Sequence, residues 1–579
     1  MRVSVRSFCL VAVVATAACT DRLPQPNGEP ATLVLRNGTI ATVDSTKPTA
    51  QAIAFRGDII AAVGSNNEIQ PFIGPNTEVL DLEGQFAMPG IIEGHGHLMN
   101  LGQSKMNLDL MDVKNWNEII DMVGAAAQQA KPGDWILGRG WHQEKWDTKP
   151  EPSVEGFPLH EALSKASPNN PVMLTHASGH GAFVNARAME LARINAKTPN
   201  PPGGEILKDK SGQPIGMLRE TAQNLAGRAH ADWRAKKTPE ENKAEAHRRV
   251  QLAVQEALSN GVTSFHDAGE DFLTVDIVKE ALANGELGIR LWVMVRDTNE
   301  NLKAKLASYK AVGLGDKRLT IAALKKTIDG ALGSRGAWML EPYSDLPGHT
   351  GLNTIPVEEV EGAAQIALEH GVQLNVHAIG DRANRQVLDI FEKAFKSRPD
   401  LNDLRWRIEH AQHLSLADIP RFGQLGVIAS MQGVHATSDA PYVLARLGAR
   451  RAEEGAYVWQ KLMKSGAVIS NGTDVPVERI NPIANFYASV TRKVNDGSTF
   501  YPDQRMTREE ALKSTTWNAA FAAKEEAIKG SLTPGKLADV TVLSKDLLTV
   551  PDEEILSTKV VYTIVGGKIV YRAGQSMTN

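Results

Sequence analysis

Short apolar runs recur along this chain, and five of them carry a side chain able to bind a metal near their C-terminal end. The first ends in His95-Gly96-His97, the fourth contains Lys325, the fifth ends at His377, the sixth at His410 and the eighth at Asp474. Side chains at i and i+2 of a strand point to the same side, so both imidazoles of the first run can face one ion, with Gly96 removing bulk between them. A lone buried histidine is ordinarily a satisfied core residue, and a bare H-x-H is weak evidence. The joint pattern is stronger, because four histidines and one aspartate recur at the same place on successive strands. That constellation reads as a metal site. The only two cysteines, Cys9 and Cys19, lie in the first 19 of 579 residues. A disulfide framework, a cysteine zinc site, an iron–sulfur cluster and a thiol nucleophile are therefore excluded from Thr20 onward.

The eight runs are 90–97, 261–267, 289–295, 319–329, 372–378, 405–411, 426–433 and 467–474. Helix-like stretches such as IPVEEVEGAAQIALEHG and ANRQVLDIFEKAFKS separate them. Eight strands with helical crossovers predict an α/β fold, a (β/α)8 barrel whose active site lies at the C-terminal strand ends. The interval of about 105–255 is too long for one crossover and is expected to hold an inserted subdomain with strands of its own, DWILGRGW and PVMLTH. Two β-rich stretches, at about 31–88 and 532–571, have turn signals between short apolar runs, and VYTIV-GG-KIVY reads as a hairpin. Together they predict one small β-sandwich built from both ends of the chain.

Composition bounds the function. Lys plus Arg number 63 and Asp plus Glu 67, for a formal net charge of −4, which supplies no electrostatic footprint for nucleic acid. The chain is 42% apolar and 22% charged, as expected of a folded globular protein. At the start, Arg2 and Arg6 precede an apolar run from Phe8 to Ala18, too short to span a bilayer. This reads as a secretory signal. Its end, Thr16-Ala17-Ala18-Cys19, resembles a lipoprotein signal, with Thr16 where Leu is usual. Lipidation of Cys19 would tether the protein on the periplasmic side of a bacterial membrane. The alternative is an ordinary cleavable signal that leaves Cys19 a spare thiol. Residues 20–30 read as a tether.

The chain resembles the amidohydrolase superfamily, in the branch of N-substituted formamide deformylase. The matching pieces are MPGIIEGHGHL (88–98), SGHGAFVNARAM (178–189), KKTIDGALGSRGA (325–337), NVHAIGDRANR (375–385), RIEHAQ (407–412), NGTDVPV (471–477) and LTPGKLADVTVL (532–543). The resemblance covers nearly everything after the lipoprotein-type signal (1–19) and the tether, and it implies a composite β-sandwich, at 31–89 and 526–579, and a metal-dependent barrel, at 90–525. It implies two divalent metals. His95 and His97 would bind the more buried ion with Asp474, and His377 and His410 the second. Lys325, as an N-carboxylated lysine, would bridge them. Strand periodicity leaves Lys325 and Lys326 open, and the resemblance selects Lys325. Glu93-Gly94 stands where relatives often have Asp and a small residue.

Nitrogen and oxygen ligands without sulfur suit zinc, and also manganese, iron or cobalt. On such an ion the pKa of water falls to about 7, which makes hydroxide available to attack a substrate carbonyl. Asp474 is expected to shuttle the proton to the leaving nitrogen. The resemblance suggests that His180, in the insertion, reaches the substrate and hydrogen-bonds its carbonyl oxygen; otherwise it is a structural loop residue. Trp141, clustered with His142 and Trp146, is expected to line an apolar pocket or to sit in a core. Arg335 would hold an anionic substrate group or cap structure. His176, His266, His413 and His435 also lie near strand ends without an expected role at the metals. The function expected is hydrolysis of an amide-type C–N bond of a small molecule, with a homo-oligomer allowed. The alternatives are a lactonase, esterase or deaminase of the same superfamily, and a non-catalytic binding lipoprotein.

Overall fold

The computed structural model describes residues 29–141, 143, 146–176, 181–201, 204–333 and 335–575. The eight expected runs are the eight strands of one parallel sheet: Ile91–Gly96, Val262–Glu270, Arg290–Val295, Leu319–Thr327, Gln373–Ala378, Arg407–His410, Ile428–Gln432 and Ile469–Gly472. They neighbour one another in chain order, all in parallel register. A short strand, Ala311–Gly313, adds to the fourth from outside. Helices cover the sheet between strands, among them Val357–His370 and Asp381–Ser397, which fall in the two helix-like stretches quoted from the sequence. The first stops at Gly371, which takes a left-handed conformation (φ 59°) suited to glycine.

The sheet closes between its first and eighth strands. The Asp474 amide donates to the His95 carbonyl at 2.7 Å, and the His97 amide to the Val475 carbonyl at 2.8 Å. Two glycines permit this approach. A Cβ on Gly94 would lie 2.5 Å from the Asn471 carbonyl oxygen, and one on Gly472 would collide with the Glu93 carboxylate and the His95 nitrogen. The Glu93 carboxylate stitches the seam. It accepts the Thr473 amide at 2.6 Å and the Thr473 hydroxyl at 2.9 Å.

The insertion follows the first barrel strand. It carries a six-stranded sheet in which Ile136–Trp141 and Val172–His176 pair in parallel, as the sequence led us to expect of strands there. Its own core gathers Trp116, Trp141, Trp146, Phe157 and Phe183. At the ends of the chain, Thr39–Ala41, Thr49–Ala50 and Phe86–Pro89 share a six-stranded sheet with Val540–Leu543, Val560–Val565 and Lys568–Arg572. The last two strands form the expected hairpin, with Gly566 and Gly567 both at positive φ (60° and 68°) in the turn. A four-stranded sheet of N-terminal strands packs against it through Leu33, Leu35, Ile53, Phe55, Val540, Val542 and Ile564. A buried ion pair at 2.6 Å between Arg290 of the barrel and Asp539 of the C-terminal segment joins barrel and sandwich. Among the described residues no helix is long and apolar enough to cross a membrane.

Candidate metal centre

The strand ends place His95 at 0%, His410 at 4% and Asp474 at 5% exposure at the C-terminal mouth of the barrel. One ligand atom from each lies within 4.8 Å of the others. His95 Nε2 is 3.5 Å from Asp474 Oδ1. His95 Nε2 and Asp474 Oδ1 are buried and have no hydrogen-bond partner among the described residues. Buried polar atoms are ordinarily satisfied, so such orphans converging on one point fit an absent cation. His410 and Asp474 both hold positive φ, 76° and 57°, which non-glycine residues rarely adopt. Strain of this kind persists where surrounding structure imposes it, and it clusters at functional sites.

The electrostatics favour ligation. Burial lowers the pKa of His95, with a further contribution from Lys325, and burial holds His410 well below its ordinary value. Both imidazoles are therefore neutral near pH 7, the form that binds metals. His95 Nδ1 is bonded to Glu409 Oε2, with both side chains fully buried. A carboxylate there takes the Nδ1 proton and leaves the Nε2 lone pair facing the site. Burial opposes ionisation of Glu409, but His95, Lys325 and Arg407 bring its pKa down to about 2. His410 Nδ1 is held by Gln432 Oε1 at 2.9 Å. Burial alone would raise the Asp474 carboxyl. The His97 imidazole 3.2 Å away and the fields of His95 and His410 instead hold it well below the carboxylate range.

A model described as the Amidohydrolase family matches residues 78–571. The chain belongs to that family. It is 34% identical to Protein LONG AFTER FAR-RED 3 of Arabidopsis thaliana over 98% of either chain. It is 27% identical to N-substituted formamide deformylase of Arthrobacter pascens, covering 93% of this chain and 98% of that one. The crystal structure of an uncharacterized metal-dependent hydrolase from Pyrococcus horikoshii is similar at a TM-score of 0.73 and 26% identity, covering 90% of this chain and 99% of that one.

The site of this amidohydrolase corrects one expectation. A two-metal centre bridged by a carboxylated Lys325 is not what the structure holds. Among the described residues a single group, His95, His410 and Asp474, is compact enough for an ion, and Lys325 is an unmodified lysine. His97 and His377, expected as ligands, stand outside that group. His97 Nε2 lies 3.2 Å from Asp474 Oδ1, and His377 Nε2 lies 3.5 Å from Asp329 Oδ1. The His377 ring still neighbours His410, with centroids 4.5 Å apart. Lys325 points into the barrel, where burial lowers its pKa against the fields of Glu409 and Asp474. Lys326 faces the other way and donates to the Asp297 carbonyl at 2.9 Å.

The other expected contacts in the amidohydrolase fall as follows. Trp141 is a core residue of the insertion, fully buried, its indole donating to the Leu174 carbonyl at 2.9 Å. Arg335 is held in two hydrogen bonds by Asp345, at 3.2 and 2.8 Å, which occupies the face an anionic ligand would need. His142 and His180 lie outside the described residues, as does Cys19. Three carboxylates were given no role from the sequence. Glu409 adjoins His410 in RIEHAQ and was hidden by it. Glu93 is the barrel-seam residue. Asp329 accepts amides of Trp338, Ile379 and Gly380 at 2.9, 3.0 and 2.8 Å, so it ties the loop after the fourth strand to the end of the fifth. Burial pushes its pKa up to about 7 against those bonds. Its place directly after the fourth strand, in KKTIDG, could have flagged Asp329.

Proposed function

We propose that this protein hydrolyses the C–N bond of a small amide-type substrate at a single metal centre held by His95, His410 and Asp474. The observation that carries this reading is the convergence of those three buried ligand atoms at the C-terminal mouth of the barrel of an amidohydrolase. Nitrogen and oxygen donors of this kind suit zinc, which when bound supplies Lewis acidity toward a carbonyl. The protein supplies the rest. His95 and His410 are fixed in one tautomer by Glu409 and Gln432. Asp474 is ionised, so it can take a proton from the attacking water and deliver it to the departing nitrogen. An amide nitrogen leaves poorly unless protonated, so this transfer matters as much as the attack.

Asp474→Asn separates ligation from proton transfer. The Asn variant is expected to keep bound metal at reduced affinity and to lose amide turnover by at least about 100-fold. Metal content and turnover both near normal would reject the shuttle. A panel of amides, lactones, esters and amidines identifies the substrate class, and fast ester cleavage without amide cleavage would reject C–N hydrolysis. Export is part of the same reading. It is supported by the basic start at Arg2 and Arg6, the apolar run from Phe8 to Ala18, and Cys19 as a lipidation point.

A further inference from the structure

We propose that His435 is a further catalytic residue of this site, donating a hydrogen bond from Nε2 to the substrate oxygen that gains negative charge during attack. The inference rests on the C–N hydrolase reading above. His435 opens the helix Gly433–Gly455, directly after the seventh barrel strand, and is 6% exposed. Its ring lies nearly parallel to that of His410, at 16° and 6.2 Å between centroids.

The two ring nitrogens have different surroundings. Nδ1 receives the side-chain amide of Gln412 at 3.1 Å, and Gln412 is itself buried two residues beyond His410. An amide donor at Nδ1 fixes that nitrogen as the acceptor and places the proton on Nε2. Nε2 is buried without a hydrogen-bond partner among the described residues. It lies 3.9 Å from Asp474 Oδ2, too far for a hydrogen bond, while the other oxygen of Asp474 faces His95 and His97. Other buried histidines also keep an unpaired ring nitrogen, His266 and His413 among them, but the one on His435 stands beside the ligand group itself, next to His410 and Asp474. His435 therefore keeps an unpaired donor 3.9 Å from the Asp474 oxygen that His95 and His97 do not contact.

The step balances with water as co-reactant. The water oxygen bonds to the carbonyl carbon, and the C=O π pair moves onto the carbonyl oxygen, which the Nε2–H of His435 stabilises. The pair then re-forms C=O as the C–N bond breaks. The nitrogen departs with the proton that Asp474 took from water, and the products are a carboxylic acid and an amine.

The test uses H435L, H435Q and Q412E in the full-length, metal-reconstituted protein, with kcat, KM, metal content and 15N-histidine shifts as readouts. H435L should lose about 100–1,000-fold in kcat with KM and metal content little changed. H435Q keeps a donor near the Nε2 position and should recover about tenfold or more of that loss. Q412E presents a carboxylate to Nδ1, so the ring should switch to the Nδ1–H tautomer in its 15N shifts and kcat should fall. Turnover of H435L within about threefold of wild type, or equal losses in H435L and H435Q, would overturn the proposal. If H435L does not fold, Q412E decides: a tautomer switch with kcat unchanged would overturn it. Wild-type protein inactive on every amide would instead reject the hydrolase reading itself.

Discussion

Glu409 on the sixth barrel strand accepts the Nδ1 proton of His95 on the first, so a fully buried carboxylate sets the orientation and tautomer of a metal ligand across the barrel interior. Carboxylates behind ligating histidines commonly govern metal affinity about 10–100-fold. Glu409→Gln should therefore weaken metal binding by about that factor, read by competition with a calibrated chelator. Affinity unchanged within about twofold would mean that the contact does not position His95.

The same carboxylate gives acid sensitivity of a definite sign. Its folded pKa, about 2, lies below its ordinary value of 4.5. A depressed carboxyl contributes stability that is present above its unfolded pKa and is lost as pH falls through the folded one. In chelator-treated protein, wild type should be more stable than Glu409→Gln at pH 6, and the gap should shrink as pH falls from about 4.5 toward 2. Urea midpoints measured across that range check it. A gap that widens with acidity would contradict the assigned ionisation.

The barrel seam depends on glycine. A methyl on Gly472 would collide with the Glu93 carboxylate and the His95 backbone nitrogen, neither of which is the end of a mobile surface chain. Gly472→Ala should cost about 1–3 kcal/mol or more and should also lower metal affinity, because the same seam carries His95 and Asp474. Denaturant unfolding and metal titration read the two effects. Normal affinity in a destabilised variant would uncouple seam from site.

The adjacent lysines should behave differently. Lys326→Ala removes one hydrogen bond to the Asp297 carbonyl, on the face away from the site, and should change stability by about 1 kcal/mol with turnover little affected. Lys325→Met removes a buried cation beside Glu409 and Asp474 and should reduce metal affinity and turnover together. Equal behaviour of the two variants would show that the strand faces are misassigned.

The barrel was legible because its strands repeat one pattern: a short apolar run, a metal-capable side chain at the end, then a helix. The hairpin near the C-terminus was legible from Gly566-Gly567. The site was legible in its residues but only partly in its grouping. Periodicity puts His95, His377, His410 and Asp474 at one end of the barrel, and it carries no information about which ligand atoms come within a few ångströms of one another. That grouping depends on local twists such as the positive φ of His410 and Asp474. Glu409 shows the limit from another side. Strict alternation would send it away from the face of His410, but the left-handed turn at His410 lets both serve the site. Trp141 shows that an aromatic at a strand end reads alike whether it lines a pocket or fills a core.

The most direct measurement is amine release from a panel of small amides by chelator-stripped and metal-reconstituted protein, with His410→Ala alongside. Expected is turnover only in the reconstituted wild type, at a stoichiometry of one ion per chain, with His410→Ala inactive and depleted of metal. Equal turnover in stripped and reconstituted protein, or full metal binding with no C–N cleavage anywhere in the panel, would contradict a metal-dependent hydrolase built on His95, His410 and Asp474.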